Sequence, residues 1–347
     1  MSDIEPTVSI VIPHWNNIEI LSECLKSISS TDYPNLQIIV VDNASNDNSV
    51  QYIKTNYPGI ILIENDKNYG YAGGCNIGAE KASGDYLIFL NNDTVQDEGW
   101  VSALVNTIDS NIDIAAVQPK ILNYYDRSRF DYAGGSGGHM DIYCFPFARG
   151  RIFSHQELDS GQYNNKERCF WSSGTCIMVR KNLFQKAGGF DDTFFAHMEE
   201  VDLCWRFYAM GFEVWVDPNS RVYHKNALTL PMYTHKKYYL NHRNSLLMLF
   251  SNYSMYNVFV LGFPRLLLEI VACFYSLAML DWKHLTAIIR ALIWMIFHPQ
   301  VIIKKRSKFA NLRVLKDKKI MENMTRGSIV LKYYLMNKKA YSDILSK

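Results

Sequence analysis

The chain has 347 residues, 48% of them hydrophobic and 20% charged, which is ample apolar material for one domain with an extension or for two domains. Its formal net charge of +2 is uninformative about nucleic acid, which we do not expect as a partner. The 7 cysteines include no Cys-x-x-Cys pair, which argues against a zinc ribbon or a disulfide scaffold and fits a reducing compartment. Residues 1–7 show no secretory signal, so we expect a cytoplasmic protein.

Strands and helices alternate at the start of the chain. Short β-branched and apolar runs predict buried strands at residues 8–13, 37–41, 60–63 and 86–90. The intervening segments predict one helix at residues 18–30, a second that follows the second strand and continues through Tyr52, and a third at residues 72–82. This alternation predicts an α/β fold with a mostly parallel sheet and helices on both faces. Ligands of such sheets bind at the carboxyl ends of the strands.

Polar residues follow these strands. Asp42 ends the second strand, where its carboxylate would accept from the imide N–H of a uracil or thymine ring, or would cap the next helix. Asp93 closes the run Asn91-Asn92-Asp93 after the fourth strand. There it would hold a divalent cation that bridges a diphosphate, or would form an Asx turn. The residues alone leave both alternatives open at each position.

A glycine-rich segment, residues 68–78, joins the third strand to a helix. Glycines let the backbone approach a ligand, and a helix amino terminus favours phosphate. The alternative is a tight contact between helix and sheet that requires small residues. The segment lacks the Gly-x-Gly-x-x-Gly pattern and does not follow the first strand, so a dinucleotide-binding fold is disfavoured.

Residues 130–161 are rich in Gly, Tyr, Asp and Phe without a clear period, and they predict long loops or an irregular hairpin of functional use. A regular sequence pattern resumes at residues 172–180, and a helix is predicted from Lys181. Closing strands are predicted at residues 213–216 and 221–224.

Three carboxylates, Glu199, Glu200 and Asp202, fall within four residues at the predicted start of a helix. They stand in an apolar and aromatic frame, which predicts a general base at the floor of a pocket, its proton affinity raised by neighbouring carboxylates and burial. The alternative is an acidic first turn that complements the helix dipole. His224 ends the last predicted strand as a structural histidine or, beside Asp93, as a second metal ligand.

The composition changes near Tyr233, and we divide the chain into residues 1–232 and a helical region of residues 233–347. Residues 258–280 are apolar and long enough to span a bilayer, but Arg265 and Glu269 interrupt them. With a second apolar helix at residues 285–297 and the basic residues that follow, they favour a hairpin at the membrane interface. A buried helical subdomain and a true span remain alternatives.

Six segments in order resemble family 2 glycosyltransferases of the GT-A fold, closest to the rhamnosyltransferase-like bacterial members. The segments are residues 8–13, 41–45, 68–74, 90–93, 188–191 and 199–206. The resemblance covers roughly residues 8–244 and implies a GT-A domain with a carboxyl-terminal helical extension.

The resemblance also implies roles for individual residues. Asp42 would bind the pyrimidine base of the donor, Asp93 and His224 would hold Mg²⁺ or Mn²⁺, and Glu200 would be the catalytic base. Glu199 and Asp202 would raise the proton affinity of Glu200. The remaining residues expected beside the nucleotide are Pro13, His14, Asn68, Gly70, Gly73 and Asn92. The chain departs from the family pattern in having one carboxylate in the metal motif and Glu rather than Asp as the second paired acid.

The implied activity is inverting transfer of a sugar, with rhamnose as one candidate, from a dTDP- or UDP-sugar. The acceptor would be a glycan or a polyprenyl-diphosphate-linked glycan in bacterial surface polysaccharide synthesis, reached by peripheral contact with the inner face of the cell membrane. A nucleotidyltransferase would carry a glycine-rich, basic loop after the first strand, where this chain has His14-Trp15-Asn16-Asn17. A catalytically degenerate module for glycan binding or assembly is the other alternative.

Overall fold

The structure is a computed structural model that describes residues 5–225 and 233–345. The strands are β1 (Val8–His14), β2 (Leu36–Asp42), β3 (Ile61–Glu64), β4 (Tyr86–Leu90), β5 (Thr94–Gln96), β6 (Ile114–Asn123), β7 (Gly138–Met140), β8 (Pro146–Ala148), β9 (Arg151–Ile152), β10 (His155–Gln156), β11 (Glu167–Arg168), β12 (Cys176–Arg180) and β13 (Glu213–His224). The helices are α1 (Ile18–Ser29), α2 (Ser49–Asn56), α3 (Gly70–Lys81), α4 (Trp100–Asp109), α5 (Lys181–Ala187), α6 (Glu199–Ala209), α7 (His235–Asn252), α8 (Met255–Ala278), α9 (Trp282–Phe297), α10 (Pro299–Leu312), α11 (Asp317–Met321), α12 (Ile329–Tyr334) and α13 (Tyr341–Leu345).

The main sheet has the strand order β11-β13-β6-β12-β4-β1-β2-β3, with β5 paired to β13. Strands β1 to β4 form the parallel part predicted from the sequence, and β12 joins antiparallel between β4 and β6. The register pairs His14 with Asp42, so the ends of β1 and β2 lie side by side. The α/β prediction is confirmed, with the polar residues at the carboxyl edge of the sheet.

Helix α3 packs tightly on the sheet because of its glycines. A Cβ on Gly78 would lie 2.3 Å from Val11 Cγ1 and 3.0 Å from Val41 Cγ2, closer than packed side chains allow. For Gly78, the structure therefore agrees with the second interpretation of the glycine-rich segment, a tight contact between helix and sheet.

The irregular segment before β11 contains a small antiparallel sheet, β7 to β10. The sequence predicts loops or an irregular hairpin here, because strands of two or three residues are too short to show a period. Phe130, Phe147 and Ile152 of this region share a buried cluster with Ile329 and Tyr341 near the carboxyl end of the chain.

The helical region packs on the sheet domain. Leu247, Met248 and Leu249 of α7 belong to the same buried core as the apolar residues of α6. The predicted boundary at residue 232 falls in residues 226–232, outside the described residues.

Helix α8 is, by length and composition, able to cross a membrane, and α9 with α10 passes the same test as a pair bent by 72°. Arg265 and Glu269, which interrupt the apolar run, are buried and paired with each other. Most of the surrounding apolar side chains are exposed, including Phe259, Phe263 and Phe274.

Candidate active site

The ends of β1 and β2 present two buried side chains. Asp42 Oδ2 accepts from the backbone N–H of Ser45 at 3.0 Å, while its Oδ1 is buried and has no hydrogen-bond partner within the described ranges. One oxygen therefore shapes the turn, and the other is available to a ligand. The alternative that Asp42 caps the next helix is wrong, because the N-cap residue of α2 is Asn48.

His14 completes this corner of the site. Its Nδ1 lies 2.8 Å from Asn92 Nδ2, and because an amide nitrogen only donates, Nδ1 accepts. Burial lowers the pKa of His14, an effect that the charges of Asp42 and Asp47 oppose. A neutral ring that accepts at Nδ1 carries its proton on Nε2, and this buried atom has no partner among the described residues. It is a buried donor that is available to a ligand.

The glycine-rich loop is tied to the segment that precedes α6. Gly70 has a φ of +75°, and a Cβ there would lie 2.6 Å from the carbonyl oxygen of Phe195. Tyr71 N–H donates to that same oxygen at 3.0 Å, and Asn68 Oδ1 accepts from Gly70 N–H at 2.8 Å. A Cβ on Gly73 would meet Tyr69 Cβ at 2.8 Å. Close packing explains these glycines, and their contact with a nucleotide stays a prediction.

Asp93 and His224 lie 131 positions apart in the sequence, and the fold brings them into contact. Strand β13 pairs with β5 directly after Asp93, which brings His224 Nε2 to 3.1 Å from Asp93 Oδ1. On its other side, His224 Nδ1 lies 2.9 Å from Asp131 Oδ1. Although burial opposes it, the charges of Asp93 and Asp131 raise the pKa of His224 to about 10. The His224 charge in turn lowers the pKa of Asp93 against its own burial.

This pair fits a divalent cation. Asp93 Oδ1 is buried in its ion pair with His224 Nε2, and a bound cation would take the place of the proton between these two atoms. A carboxylate oxygen and an imidazole nitrogen suit Mn²⁺, and a carboxylate behind the histidine is the usual outer-shell support. In the described residues no group of three such side chains could hold a metal ion, so the other ligands would be substrate or water.

Asp131 is a functional candidate that sequence reasoning missed. It is fully buried, and it lies in the segment that shows no periodicity. Its contact with His224 depends on the pairing of that segment with the end of β6, where Asp131 N–H donates to the Ile121 carbonyl at 3.0 Å. No local sequence pattern predicts such a contact.

The paired acids begin α6. Glu199 is buried and Glu200 is half-buried, and within the part of the chain described neither Oε2 atom has a hydrogen-bond partner. Burial, reinforced by the Glu200 charge, raises the pKa of Glu199 well above its usual value. Burial also raises the pKa of Glu200 to about 7, against the effect of nearby backbone N–H groups. A carboxylate with this pKa is suited to accept a proton near neutral pH.

Asp202 has different surroundings. Its Oδ2 accepts from Arg206 Nε at 2.9 Å, and its Oδ1 accepts from Asn252 Nδ2 at 2.9 Å. The contact with Asn252 holds α6 against α7, whereas the contact with Arg206 lies within α6. Burial, rather than the expected repulsion from Asp202, is the leading cause of the raised pKa of Glu200.

The loop that leads into the acid pair is strained. Phe195, His197 and Met198 have φ angles of 63°, 68° and 74°, in the left-handed region that side chains disfavour. Asn244 Nδ2 donates to the carbonyl oxygens of Ala196 at 3.0 Å and of His197 at 2.7 Å. Helix α7 thereby fixes a backbone that would otherwise relax, and sequence reasoning did not find this residue.

Residues 173–175 connect the metal side to the acid side. Asn91 N–H donates to the Thr175 carbonyl at 2.9 Å, and Tyr71 Oη donates to the Gly174 carbonyl at 2.5 Å. The Gly174 backbone also contributes to the surroundings of Glu200. The structure thus links the surroundings of Asn91, Tyr71 and Glu200 through residues 173–175.

Residues 9–188, more than half of the chain, match the family model described as glycosyl transferase family 2. The chain belongs to glycosyltransferase family 2. Its curated relatives include the O-antigen biosynthesis protein RfbC of Myxococcus xanthus, 29% identical over 64% of this chain and 17% of that protein. An N-acetylglucosaminyl-diphospho-decaprenol L-rhamnosyltransferase of Mycobacterium tuberculosis is 26% identical over 65% of this chain and 78% of that enzyme. The resemblance to rhamnosyltransferase-like members is therefore confirmed.

Solved structures confirm the GT-A fold of this family 2 member. GalNAc-T7 with UDP, GalNAc and Mn²⁺ superimposes with a TM-score of 0.64 at 17% identity, covering 92% of this chain and 57% of that one. The mannosyltransferase PcManGT of Pyrobaculum calidifontis, with GDP-Man and Mn²⁺, gives a TM-score of 0.50 at 14% identity over 92% of this chain and 88% of that one.

Proposed function

We propose that the protein is an inverting, metal-dependent glycosyltransferase that moves a sugar from a dTDP- or UDP-sugar to a lipid-linked glycan. The observation that carries the proposal is the Asp93–His224 pair, whose buried atoms face each other 3.1 Å apart at the sheet edge that also holds Asp42. The mycobacterial relative, named for rhamnosyl transfer onto a diphospho-decaprenol acceptor, makes rhamnose the first sugar to test.

The donor nucleotide would lie across the ends of β1, β2 and β4. Asp42 Oδ1 would accept from the imide N–H of the pyrimidine, and His14 Nε2–H would donate to a carbonyl or phosphate oxygen. Asn92 holds the His14 ring in that orientation. The remaining wall would come from Pro13, Asn68, Gly70 and Gly73.

Asp93 and His224 would hold Mg²⁺ or Mn²⁺ with the donor diphosphate. The bound cation supplies positive charge that neutralises the departing nucleoside diphosphate. To bind it, His224 must give up its Nε2 proton, while Asp131 keeps the proton on Nδ1 and so fixes the ring.

Glu200 would take the proton of the acceptor hydroxyl. As that oxygen forms its bond to the anomeric carbon, the bond from this carbon to the diphosphate oxygen breaks on the opposite face, which inverts the configuration. Burial and the charge of Glu200 raise the pKa of Glu199 well above its usual value, which disfavours a second negative charge beside the base. Backbone strain at residues 195–198 would position the start of α6 for this step.

The acceptor side would face a membrane. The exposed face of α8 includes Phe259, Phe263, Ile270, Val271 and Phe274, a stripe that would enter the headgroup region of the inner leaflet. Flotation with anionic vesicles tests this contact: the protein should rise with the vesicles, and a protein that stays at the bottom contradicts it.

A transfer assay tests the reaction itself. The protein is incubated with dTDP-rhamnose or UDP-sugars, Mn²⁺ and a polyprenyl-diphosphate-linked acceptor, and the anomeric configuration of the product is read by NMR. Glu200→Gln should lower the transfer rate by about 10²–10⁴-fold but keep donor binding, whereas Glu80→Gln, on the exposed end of α3, should leave both unchanged. Absence of donor binding to the wild-type protein would refute the proposal and favour a glycan-binding module.

A further inference from the structure

A cavity of about 430 Å³ lies between the strained loop before α6 and the helices α7 and α9. It is lined by Phe195, Lys236, Tyr239, Leu240, Arg243 and Arg290. Its wall therefore combines cations with aromatic rings, and among these six residues none is acidic.

The cations of this cavity face rings rather than carboxylates. Lys236 Nζ lies 4.5 Å from the ring centroid of Phe195, and the Arg290 guanidinium lies 4.6 Å from that of Tyr239. Across residues 5–225 and 233–345, neither Lys236 nor Arg290 forms an ion pair. Positive charges gathered in one small cavity repel one another, and a bound anion removes that cost.

Arg243 is the fixed member of the group. Its Nη2 donates to the carbonyl oxygens of Thr193 at 2.8 Å and Phe194 at 3.1 Å, and its Nε donates to Asn244 Oδ1 at 2.8 Å. A guanidinium held in this way is preorganised for an incoming phosphate.

Phe195 lies between the cavity and the glycine-rich loop. A Cβ on Gly70 would lie 2.8 Å from Phe195 Cδ2, so one part of the ring packs on the glycine-rich loop while Lys236 lies over the ring. Phe195 also belongs to the strained loop that leads into α6, four positions before Glu199. A ligand in the cavity would therefore contact the loop that leads to the acid pair, on the side of Phe195 away from the glycine-rich loop.

An apolar track leaves the cavity along α9. Ile293 and Phe297 follow Arg290 at spacings of three and seven residues, which places them on the same face of the helix. Their side chains are 49% and 71% exposed. The ligand that matches both features is an anion with a long apolar chain.

We propose that this cavity binds the diphosphate of a polyisoprenoid-linked acceptor, with the isoprenoid chain lying along Ile293 and Phe297. The inference rests on the proposed glycosyl transfer and extends it by giving the acceptor a site. Lys236, Arg243 and Arg290 bind the phosphates, and the sugar of the acceptor reaches past Phe195 toward Glu200.

Binding of farnesyl diphosphate to the full chain tests the inference. UDP and Mn²⁺ are present in excess to fill the donor site, and affinity is measured by titration calorimetry. Lys236→Ala and Arg290→Ala should each weaken binding about tenfold, and the double variant about a hundredfold, since each loses a charged contact. Lys308→Ala removes an exposed cation of α10 and should leave the affinity unchanged.

Three results would overturn the inference. The first is that farnesyl diphosphate does not bind to the wild-type protein, and the second is that it binds to the double variant with wild-type affinity. The third is that inorganic pyrophosphate binds as tightly as farnesyl diphosphate, which would mean a site for free diphosphate. If the proposed function is wrong, the result is different. UDP then fails to bind to the wild-type protein, whereas the double variant still has a lower affinity for farnesyl diphosphate than the wild type. If sugar transfer proceeds with an unchanged acceptor KM in the double variant, the cavity assignment fails and the glycosyl transfer stands.

Discussion

The side-chain amide nitrogen of Asn244 lies 2.7 Å from the carbonyl oxygen of His197, and this contact fixes a loop of left-handed residues directly before the paired acids. The strain of such residues, about 1–3 kcal/mol each, persists only where the surroundings enforce it. A helix outside the predicted catalytic domain thus sets the position of Glu199 and Glu200.

Asn244→Ala removes this constraint. The loop carbonyls lose their donor, so we expect kcat to fall by at least about tenfold while donor affinity changes little, because a small displacement of a base is costly. Asn257→Ala, which removes a similar amide contact from α8 to Asp317, is the matched control and should lower Tm without changing kcat. Equal effects on kcat in both variants would contradict a positioning role.

The pH profile of transfer reports on Glu200. Its raised pKa, about 7, means that the base is protonated and inactive in acid, so kcat/KM should rise with pH and level off above about 7. Because Glu199 is adjacent, the apparent value belongs to the pair. Glu200→Gln should lower the rate by about 10²–10⁴-fold and abolish this limb of the profile. A limb that survives in the variant would assign it to another group.

Glu199 should make stability depend on pH. Since its pKa is raised by folding, the native state binds this proton more tightly than the unfolded chain does, and stability falls as pH rises above the ordinary value of 4.5. Glu199→Gln removes that loss. Calorimetry should show that the variant has a higher Tm than the wild type at pH 8 and that this difference is much smaller at pH 4. An equal difference at both pH values would show that the raised pKa of Glu199 is not the cause.

Asp131→Asn tests the support of the metal ligand. At the proposed metal site, His224 would be a weaker and less well oriented ligand without a carboxylate behind its Nδ1, so Mn²⁺ affinity should fall by about 10–100-fold. Electron paramagnetic resonance of free Mn²⁺ measures the affinity directly. The control is Asp126→Asn, an exposed carboxylate in the same segment, and a similar loss there would show a general charge effect.

Gly78→Ala tests the packing of α3 on the sheet. The added methyl group would meet Val11 Cγ1 at 2.3 Å, so we expect a loss of about 1–3 kcal/mol in the free energy of unfolding. Chemical denaturation measures it. Gly59→Ala, where the new Cβ has no atom within 4 Å, should cost far less.

The parallel half of the fold is predictable from the sequence because its signals are local. Strands β1, β2 and β4 are apolar runs that end in polar residues, and their order alone places His14, Asp42 and Asp93 at one edge. The acid pair is likewise visible as like charges in an apolar frame.

The other parts of the site depend on contacts between distant segments. Asp131 reaches His224 from a segment without periodicity, and Asn244 reaches His197 from a helix in the extension. Asp202 looks catalytic in sequence, yet Arg206 and Asn252 occupy both of its oxygens. Spacing along the chain identifies which groups could meet, and only the packed structure shows which of them already have partners.

The shared core of α6 and α7 limits how this enzyme can diversify. Because Leu247, Met248 and Leu249 pack into the core that also includes α6, we expect exchange of the carboxyl-terminal helices between relatives to disrupt this core. Recombination near residue 233 would join mismatched core surfaces and disturb the acid pair at the same time. New acceptor preferences would therefore arise by point substitution within the helices rather than by domain shuffling.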